Sequence, residues 1–203
     1  MKIALIGASG NVGTRVAAEA SSRGHAVTAI SRRPEKQPAR AGVTPAKGDA
    51  ADAAGLPKLL AGHDAVVSST RFLGGDARAL VAAVKKAGVK RLLVVGGAGS
   101  LEAAPGVALI DTPQFPAAYK PEASAGRDFL NALRAERELD WTFLSPSAFF
   151  GPGERTGKFR VGGDRLLVGA DGQSRISMED YAIALVDELE TPRHARRRFT
   201  VGY

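Results

Sequence analysis

Gly7-Ala8-Ser9-Gly10-Asn11-Val12-Gly13 decides how the rest of this 203-residue chain is read. Before it runs Lys2-Ile3-Ala4-Leu5-Ile6, a short apolar stretch with the character of a buried strand. After it, Val12, Val16, Ala17 and Ala20 recur at helical spacing. Strand, glycine turn and helix, in that order, are the context a phosphate-cradling glycine motif needs. Gly7 permits the tight turn. Gly10 lets the backbone approach a pyrophosphate, and Gly13 lets the helix pack near the strand. The free N–H groups and positive dipole end of the helix then face the anion. The stretch points to a dinucleotide site on Gly7, Ala8, Ser9, Gly10, Asn11 and Val12.

Outward from this turn, helical and strand-like segments alternate through the first 145 residues. Ala26-Val27-Thr28-Ala29-Ile30 is a β-branched second strand. A Pro- and charge-rich loop, 31–41, leads to Val43-Thr44-Pro45-Ala46, a short strand near an edge because Pro45 cannot donate to a ladder. A short helix is expected around 53–61, a fourth strand at 65–69, and a helix from Asp76 to Ala87 ended by Gly88. Arg91-Leu92-Leu93-Val94-Val95 reads as a strand covered on both faces. Residues 96–120 form a long connection punctuated by Gly and Pro, a kind that is usually functional. Pro121 suits the first turn of a helix reaching about Glu138, and Trp141-Thr142-Phe143-Leu144 follows as a strand.

The last quarter changes character. Short strands are expected around 158–161 and 174–176. A helix capped by Ser177 carries acidic residues in its first turn and buries Ile183, Leu185, Val186 and Leu189. Arg198-Phe199-Thr200-Val201 closes the chain as a strand. The pattern is α/β: one Rossmann-type, doubly wound, mainly parallel sheet over 1–203, with 146–203 as a small C-terminal elaboration on the substrate side. Right-handed crossovers should bring the carboxyl ends of the first and fourth strands together at the glycine turn, where such sheets bind ligands.

Composition excludes several classes. There is no cysteine, so disulfides, thiolate catalysis and Cys-ligated zinc are out. No run of about 18 apolar residues could span a membrane, and the cytoplasm is the default compartment. The net charge of +7 is partly local, at Arg193, Arg196, Arg197 and Arg198. That cluster reads as a solvated loop; without an element to read bases it is no case for nucleic acid. The basic excess also suits a phosphorylated cofactor. A monomer or homodimer is expected, and no metal site.

The end of the second strand chooses between cofactors. NAD sites place a carboxylate about 20 residues past the motif. This chain offers Ser31-Arg32-Arg33 and no carboxylate until Glu35. A hydroxyl and two guanidiniums suit a 2′-phosphate, which Arg can hold bidentately. NADP (as NADPH) is therefore favoured, with NAD second. Asp49, after the third strand, could accept from an adenine amino group or cap the segment from Asp52. Small residues at Ser68-Ser69-Thr70 and Gly96-Gly97-Ala98 leave space for a ribose and a nicotinamide ring.

Together these features resemble the atypical, extended branch of the short-chain dehydrogenase/reductases. More narrowly, they resemble bacterial NAD(P)H-binding proteins labelled NADH-flavin reductases, akin to biliverdin-IXβ reductase and NmrA-like proteins. The segments that carry the resemblance are 6–13, Gly48-Asp49, 62–68, 92–100 and 141–147. It implies that residues 8–12 meet the pyrophosphate, Arg32 the adenosine phosphate, and Asp49 and Ala50 the adenine. It further implies that Ser68, Ser69, Thr70, Gly96, Gly97 and Ala98 line the ribose and nicotinamide, with Pro146 and Ser147 also at the cofactor.

The chain departs from the usual Tyr/Lys pair four apart on one helix, in which Lys lowers the Tyr pKa. Tyr119 is followed at that spacing by Ala123, and Tyr181 by Leu185. Lys120 adjoins Tyr119, which on a helix would diverge by about 100°; a non-helical backbone could aim both into the cleft. The catalytic candidates are Tyr119 as proton donor, Lys120 as ribose or phosphate contact, and Ser100 orienting a substrate carbonyl. Hydride transfer to a flavin or quinone needs no side-chain acid, only stacking and positioning. Phe115, Phe149 and Phe150 could supply an apolar lid or ordinary core. His25, His63 and His194 lie away from the strand carboxyl ends and read as structural. Two other readings stay open: a cofactor-sensing regulator that binds a partner protein, and an epimerase or dehydratase.

Overall fold

Alternation along the opening strand sorts the core onto two faces. Ile3 and Leu5 point to one side of the sheet, Ala4 and Ile6 to the other. The computed structural model describes all 203 residues. In chain order its elements begin β1 (Lys2–Ile6), α1 (Asn11–Ser22), β2 (Ala26–Ser31), β3 (Val43–Lys47), α2 (Leu56–Leu60), β4 (Ala65–Ser68), α3 (Ala77–Lys86) and β5 (Arg91–Val95). A small hairpin, β6 (Glu102–Ala104) and β7 (Val107–Ala108), precedes α4 (Lys120–Arg134) and β8 (Asp140–Ser145). Then come β9 (Phe149–Gly151), β10 (Arg160–Gly162), β11 (Arg175–Ser177), α5 (Met178–Glu190) and β12 (Arg197–Gly202).

Eight strands form one sheet in the order β10-β12-β8-β5-β4-β1-β2-β3. All pairings are parallel except β10 with β12. The winding direction reverses at β1, flanked by β2 and β4, so the expected switch point lies at the glycine turn. One face is covered by α1 and α5, through Val16, Ala17, Tyr181, Leu185 and Leu189. The other is covered by α2, α3 and α4, through Leu60, Leu80, Val84, Leu130 and Leu133. Burying each such Leu- or Val-sized side chain contributes roughly 1.5–3 kcal/mol.

The C-terminal quarter is more than an appendage. β12 extends the main sheet beside β8, and 10 of the 13 residues of α5 are buried, so these two elements are part of the core. Local differences have local causes. The helix expected to reach Glu138 ends at Arg134, because the Glu136 carboxylate accepts from the N–H groups of Glu138 and Leu139 and turns the chain. The helix expected over 53–61 covers only 56–60, because Asp52 accepts from Ala54 N and Gly55 N and holds a turn there. The connection 96–120 folds further than expected: Gly106 at φ +73° turns the β6–β7 hairpin, and two 3-10 turns follow.

Candidate cofactor site

The glycine turn is held against the end of β4. Gly7 adopts φ +79°, and a Cβ there would lie 2.2 Å from Ser69 O. A Cβ on Gly13 would lie 2.3 Å from Gly7 O. Two of the three glycines are thus dictated by backbone packing, with Gly7 also dictated by conformation. Gly10 differs: at φ −79° any residue fits, and the nearest atom to an added Cβ is Gly7 O at 3.3 Å. Gly10 is the N-cap of α1, where no side chain caps the helix and no acidic residue occupies the first turn. The amino end of α1 therefore carries uncompensated N–H groups beside exposed Gly10 and Asn11 and half-buried Ser9 and Val12; Ala8 is buried beneath.

At the end of β2, the Ser31 hydroxyl is buried with no hydrogen-bond partner. A buried polar group left unpaired costs about 1–3 kcal/mol; Gln37 Oε1 and Arg91 Nε are the other two such atoms. Arg32 and Arg33 follow Ser31, both exposed and in no ion pair within the chain. Asp49 is exposed and its Oδ1 accepts from Ala51 N at 3.0 Å, an Asx turn; it does not cap α2, whose N-cap is Gly55 with no side-chain cap, and Asp52 holds the turn between them. Ala50 is half-buried beside it.

At the other end, the Ser68 and Thr70 hydroxyls pair at 3.2 Å beside Ser69, which forms the floor under Gly7. Gly96 is fixed from below. Its N–H donates to Leu144 O at 2.8 Å and lies 3.2 Å from the Tyr181 hydroxyl, which itself donates to Leu144 O at 2.6 Å. A Cβ on Gly96 would strike Phe143 at 2.4 Å. Tyr181 is fully buried, and burial pushes its hydroxyl far above the usual phenol range; it is a strut, not an acid. Gly97 opens onto Phe72, which packs on Phe129 and Phe143. Glu122 of α4 accepts from Phe72 N and Leu73 N and ties that loop down.

No hydrogen bond joins the catalytic candidates Tyr119, Lys120 and Ser100 to one another. Tyr119 is 66% exposed. Tyr119 and Lys120 both have helical dihedrals, so the non-helical backbone that would aim the two together is absent. Ala123, where a paired Lys would stand, lies so near Gly99 that an added Cβ there would be 2.8 Å away. Ser100 sits in a turn with its hydroxyl 3.4 Å from the Arg198 guanidinium. Pro146 and Ser147 are buried just past β8, and the Ser147 hydroxyl donates to Val201 O. His25 bridges the N-terminus and Glu190, His63 joins Leu60 O and Thr28, and His194 pairs with Glu188; all three are structural.

A family model for NAD(P)H-binding proteins matches residues 7–192. The chain belongs to this NAD(P)H-binding family. YwnB of Bacillus subtilis is 44% identical over 99% of this chain and 98% of its own. A Burkholderia pseudomallei structure, provisionally named an exported protein, is 50% identical with TM-score 0.92, covering all of both chains. A Streptococcus pneumoniae structure, provisionally named an NADH-flavin reductase, is 37% identical with TM-score 0.85, covering 100% of this chain and 99% of that one. No helix of the present chain is long and apolar enough to cross a membrane.

For an NAD(P)H-binding chain, the wall beside α1 is the part that sequence reading missed. Arg15 of α1 reaches Glu179 of α5 at 2.5 Å, and the other Glu179 oxygen accepts from Gly153 N at 2.8 Å. Asp180, fully buried, accepts from Thr156 Oγ1, Gly157 N and the Tyr203 hydroxyl. Burial works against its carboxylate, but these donors prevail and hold it below the usual range. Glu19 of α1 receives a two-pronged bond from Arg155. Three carboxylates thus strap 153–157 across α1 and α5. Phe150 turns inward onto Tyr181, ring centres 4.7 Å apart, while Phe149 stays exposed. Only the cap at Ser177 and the acids after it were legible beforehand.

Proposed function

We propose that this protein is an NADPH-dependent oxidoreductase acting on a flavin, quinone or similar small acceptor. The observation that carries the reading is the pair of uncompensated groups at the carboxyl ends of the neighbouring strands β1 and β2: a bare α1 terminus, and a buried Ser31 hydroxyl without a partner. The first suits a pyrophosphate. The second, with Arg32 and Arg33 free beside it and no carboxylate, suits a phosphorylated ribose. In this reading residues 7–12 hold the diphosphate, and Ser68, Thr70, Gly96, Gly97 and Ala98 leave room for the reactive ring. When bound, the cofactor supplies the hydride. The acceptor gains two electrons and a proton in that hydride and takes a second proton from water.

Water, rather than Tyr119, is the proton source in this reading, supported by the exposure of Tyr119 and the lack of a lysine at position 123. Lys120 contributes at most a distant phosphate contact, and Ser100 braces Arg198. The cytoplasm is the compartment this reading assumes. The test is calorimetric titration of NADPH and NADH, followed by acceptor screening at the nicotinamide absorbance. Arg32→Ala weakens NADPH by about 1–3 kcal/mol and leaves NADH unchanged; equal loss for both would overturn the phosphate assignment. Tyr119→Phe leaves turnover unchanged, and a tenfold or greater loss would restore Tyr119 as the donor.

A further inference from the structure

We propose that Glu122 of α4 is a positioning residue for the nicotinamide end of the cofactor site, where it holds Phe72 as the floor beneath Gly97. This rests on the cofactor reading and deepens it. The sheet order says where that end lies. β1 has β2 on one side and β4, then β5, on the other. With the diphosphate at the turn after β1 and the phosphorylated ribose at Ser31 to Arg33 after β2, the other half of the dinucleotide extends over the carboxyl ends of β4 and β5.

The chain leaving β4 enters this space at once. Ser69 O lies under Gly7, and shortly after it Phe72 lies under Gly97. A Cβ on Gly97 would have the Phe72 ring, at 3.7 Å, as its one neighbour within 4 Å beyond the adjoining residues. That is an ordinary contact, and Gly97 is not among the glycines with positive φ. The chain's own packing therefore does not demand glycine at 97, whereas Gly96 beside it is forced by Phe143 and Leu144 O. The missing side chain leaves room above an aromatic floor.

α4 sets the height of that floor in two ways. The Glu122 carboxylate accepts from two successive backbone groups, Phe72 N at 2.7 Å and Leu73 N at 3.1 Å. Bonds to a charged acceptor are roughly twice as strong as neutral ones. Exposed Arg71 adds a looser contact at 3.6 Å. The rest of the loop offers little hold, since Leu73 is exposed and Gly74 and Gly75 follow. Gly126 lies four residues on, on the same face of α4, and a Cβ there would come within 3.0 Å of the Phe72 ring. Glycine inside a helix lowers stability relative to alanine; here it clears space for the ring, which Phe129 and Phe143 then hold from behind. Ala123, on the adjoining part of that face, closes on Gly99 after β5. The helix that lacks a Tyr/Lys pair thus acts on the cofactor end through Phe72, as a brace rather than an acid.

NADPH and ADP-ribose carrying the 2′-phosphate, which lacks only the nicotinamide, test this by calorimetric titration. Wild type binds NADPH about tenfold more tightly than the truncated nucleotide, the scale of one well-made aromatic contact. Glu122→Ala and Phe72→Leu each erase most of that ratio by weakening NADPH alone. Gly126→Ala lowers it by displacing the Phe72 ring, and Glu122→Gln, which keeps one acceptor oxygen, retains part of it. The fluorescence of bound NADPH shifts toward that of the free nucleotide in the same order. Leu133→Ala, a buried change near the far end of α4, lowers the melting temperature and leaves the ratio alone, which separates positioning from a general loosening of the helix. A ratio unmoved by Glu122→Ala or by Phe72→Leu, or moved as far by Leu133→Ala, would overturn the role of Glu122. Equal uptake of both nucleotides by wild type overturns this proposal and spares the cofactor reading; uptake of neither sinks the two together.

Discussion

The amino ends of α1 and α5 present the same electrostatic problem and solve it oppositely. Both leave N–H groups and a positive dipole end pointing out of a helix. At α5, Ser177 accepts from Asp180 N, Glu179 and Asp180 fill the first turn, and each carboxylate is saturated by donors from 153–157, Arg15 and Tyr203. At α1 nothing caps the helix, and Gly10 occupies the cap position. Chain chemistry satisfies one end and leaves the other for an external anion. A helix end completed from within stabilises the fold, and one left bare lowers stability slightly but can bind.

The largest break in this comparison comes from Gly7→Val. The new side chain meets Ser69 O, in a backbone conformation costly for β-branched residues. A loss of about 3 kcal/mol or more is expected from strain and overpacking together, read as a sharp fall in melting temperature with loss of cofactor binding. Next is Gly10→Asp, which gives α1 the kind of internal anion α5 already has. The fold gains only a few tenths of a kcal/mol from the new cap, because glycine is already a fair N-cap residue. NADPH binding falls by roughly a hundredfold or more, because like charges then oppose each other. Calorimetry set beside thermal melting reads both, and tight NADPH binding in this variant would break the comparison.

The two ends also differed in how far sequence revealed them. Gly7 to Val12 were legible because the motif and its flanking strand and helix are contiguous. Ser31, Arg32 and Arg33 followed by counting from it. Ser177 was visible as a cap for the same local reason. The strap was not, because its partners are far apart in the chain: Arg155 and Glu19 are separated by 136 positions. Asp180 looked like an ordinary first-turn acid, and nothing in its neighbourhood announced that Thr156, Gly157 and Tyr203 would bury it. Phe149 and Phe150 were adjacent and indistinguishable in sequence, yet one faces solvent and the other Tyr181. The end of α4 was misjudged because a single side chain, Glu136, diverted the backbone.

Asp180→Ala comes third. It leaves the Gly157 N–H and the Thr156 and Tyr203 hydroxyls without their acceptor, at a cost of about 1–3 kcal/mol. Its pH dependence follows from the lowered carboxylate. A folded pKa held below the unfolded one stabilises above the unfolded value, near about 4, and loses that contribution as pH falls through the folded value. Glu179 shares this direction: burial opposes its charge, but Arg15 and Gly153 N outweigh the burial. Between neutral pH and about pH 3 the wild type should therefore lose more stability than Asp180→Ala does. Equal acid sensitivity in both proteins would show that the strap does not depend on this charge.

The smallest effects make the sharpest contrast, because one substitution is applied to both ends. Ser177→Ala removes a cap whose oxygen accepts from Asp180 N and which also donates to Glu154 O. It should cost about 1 kcal/mol of stability, a shift of roughly 2–4 °C for a chain of this length, and leave NADPH affinity alone. Ser9→Ala removes a half-buried hydroxyl beside the bare end of α1 that bonds to nothing in the chain. Its melting temperature should stay put while NADPH affinity falls by about 0.5–1.5 kcal/mol. If Ser9→Ala lowered stability without touching affinity, the amino end of α1 would be a structural joint like that of α5, and the case for an anion there would rest on the glycines alone.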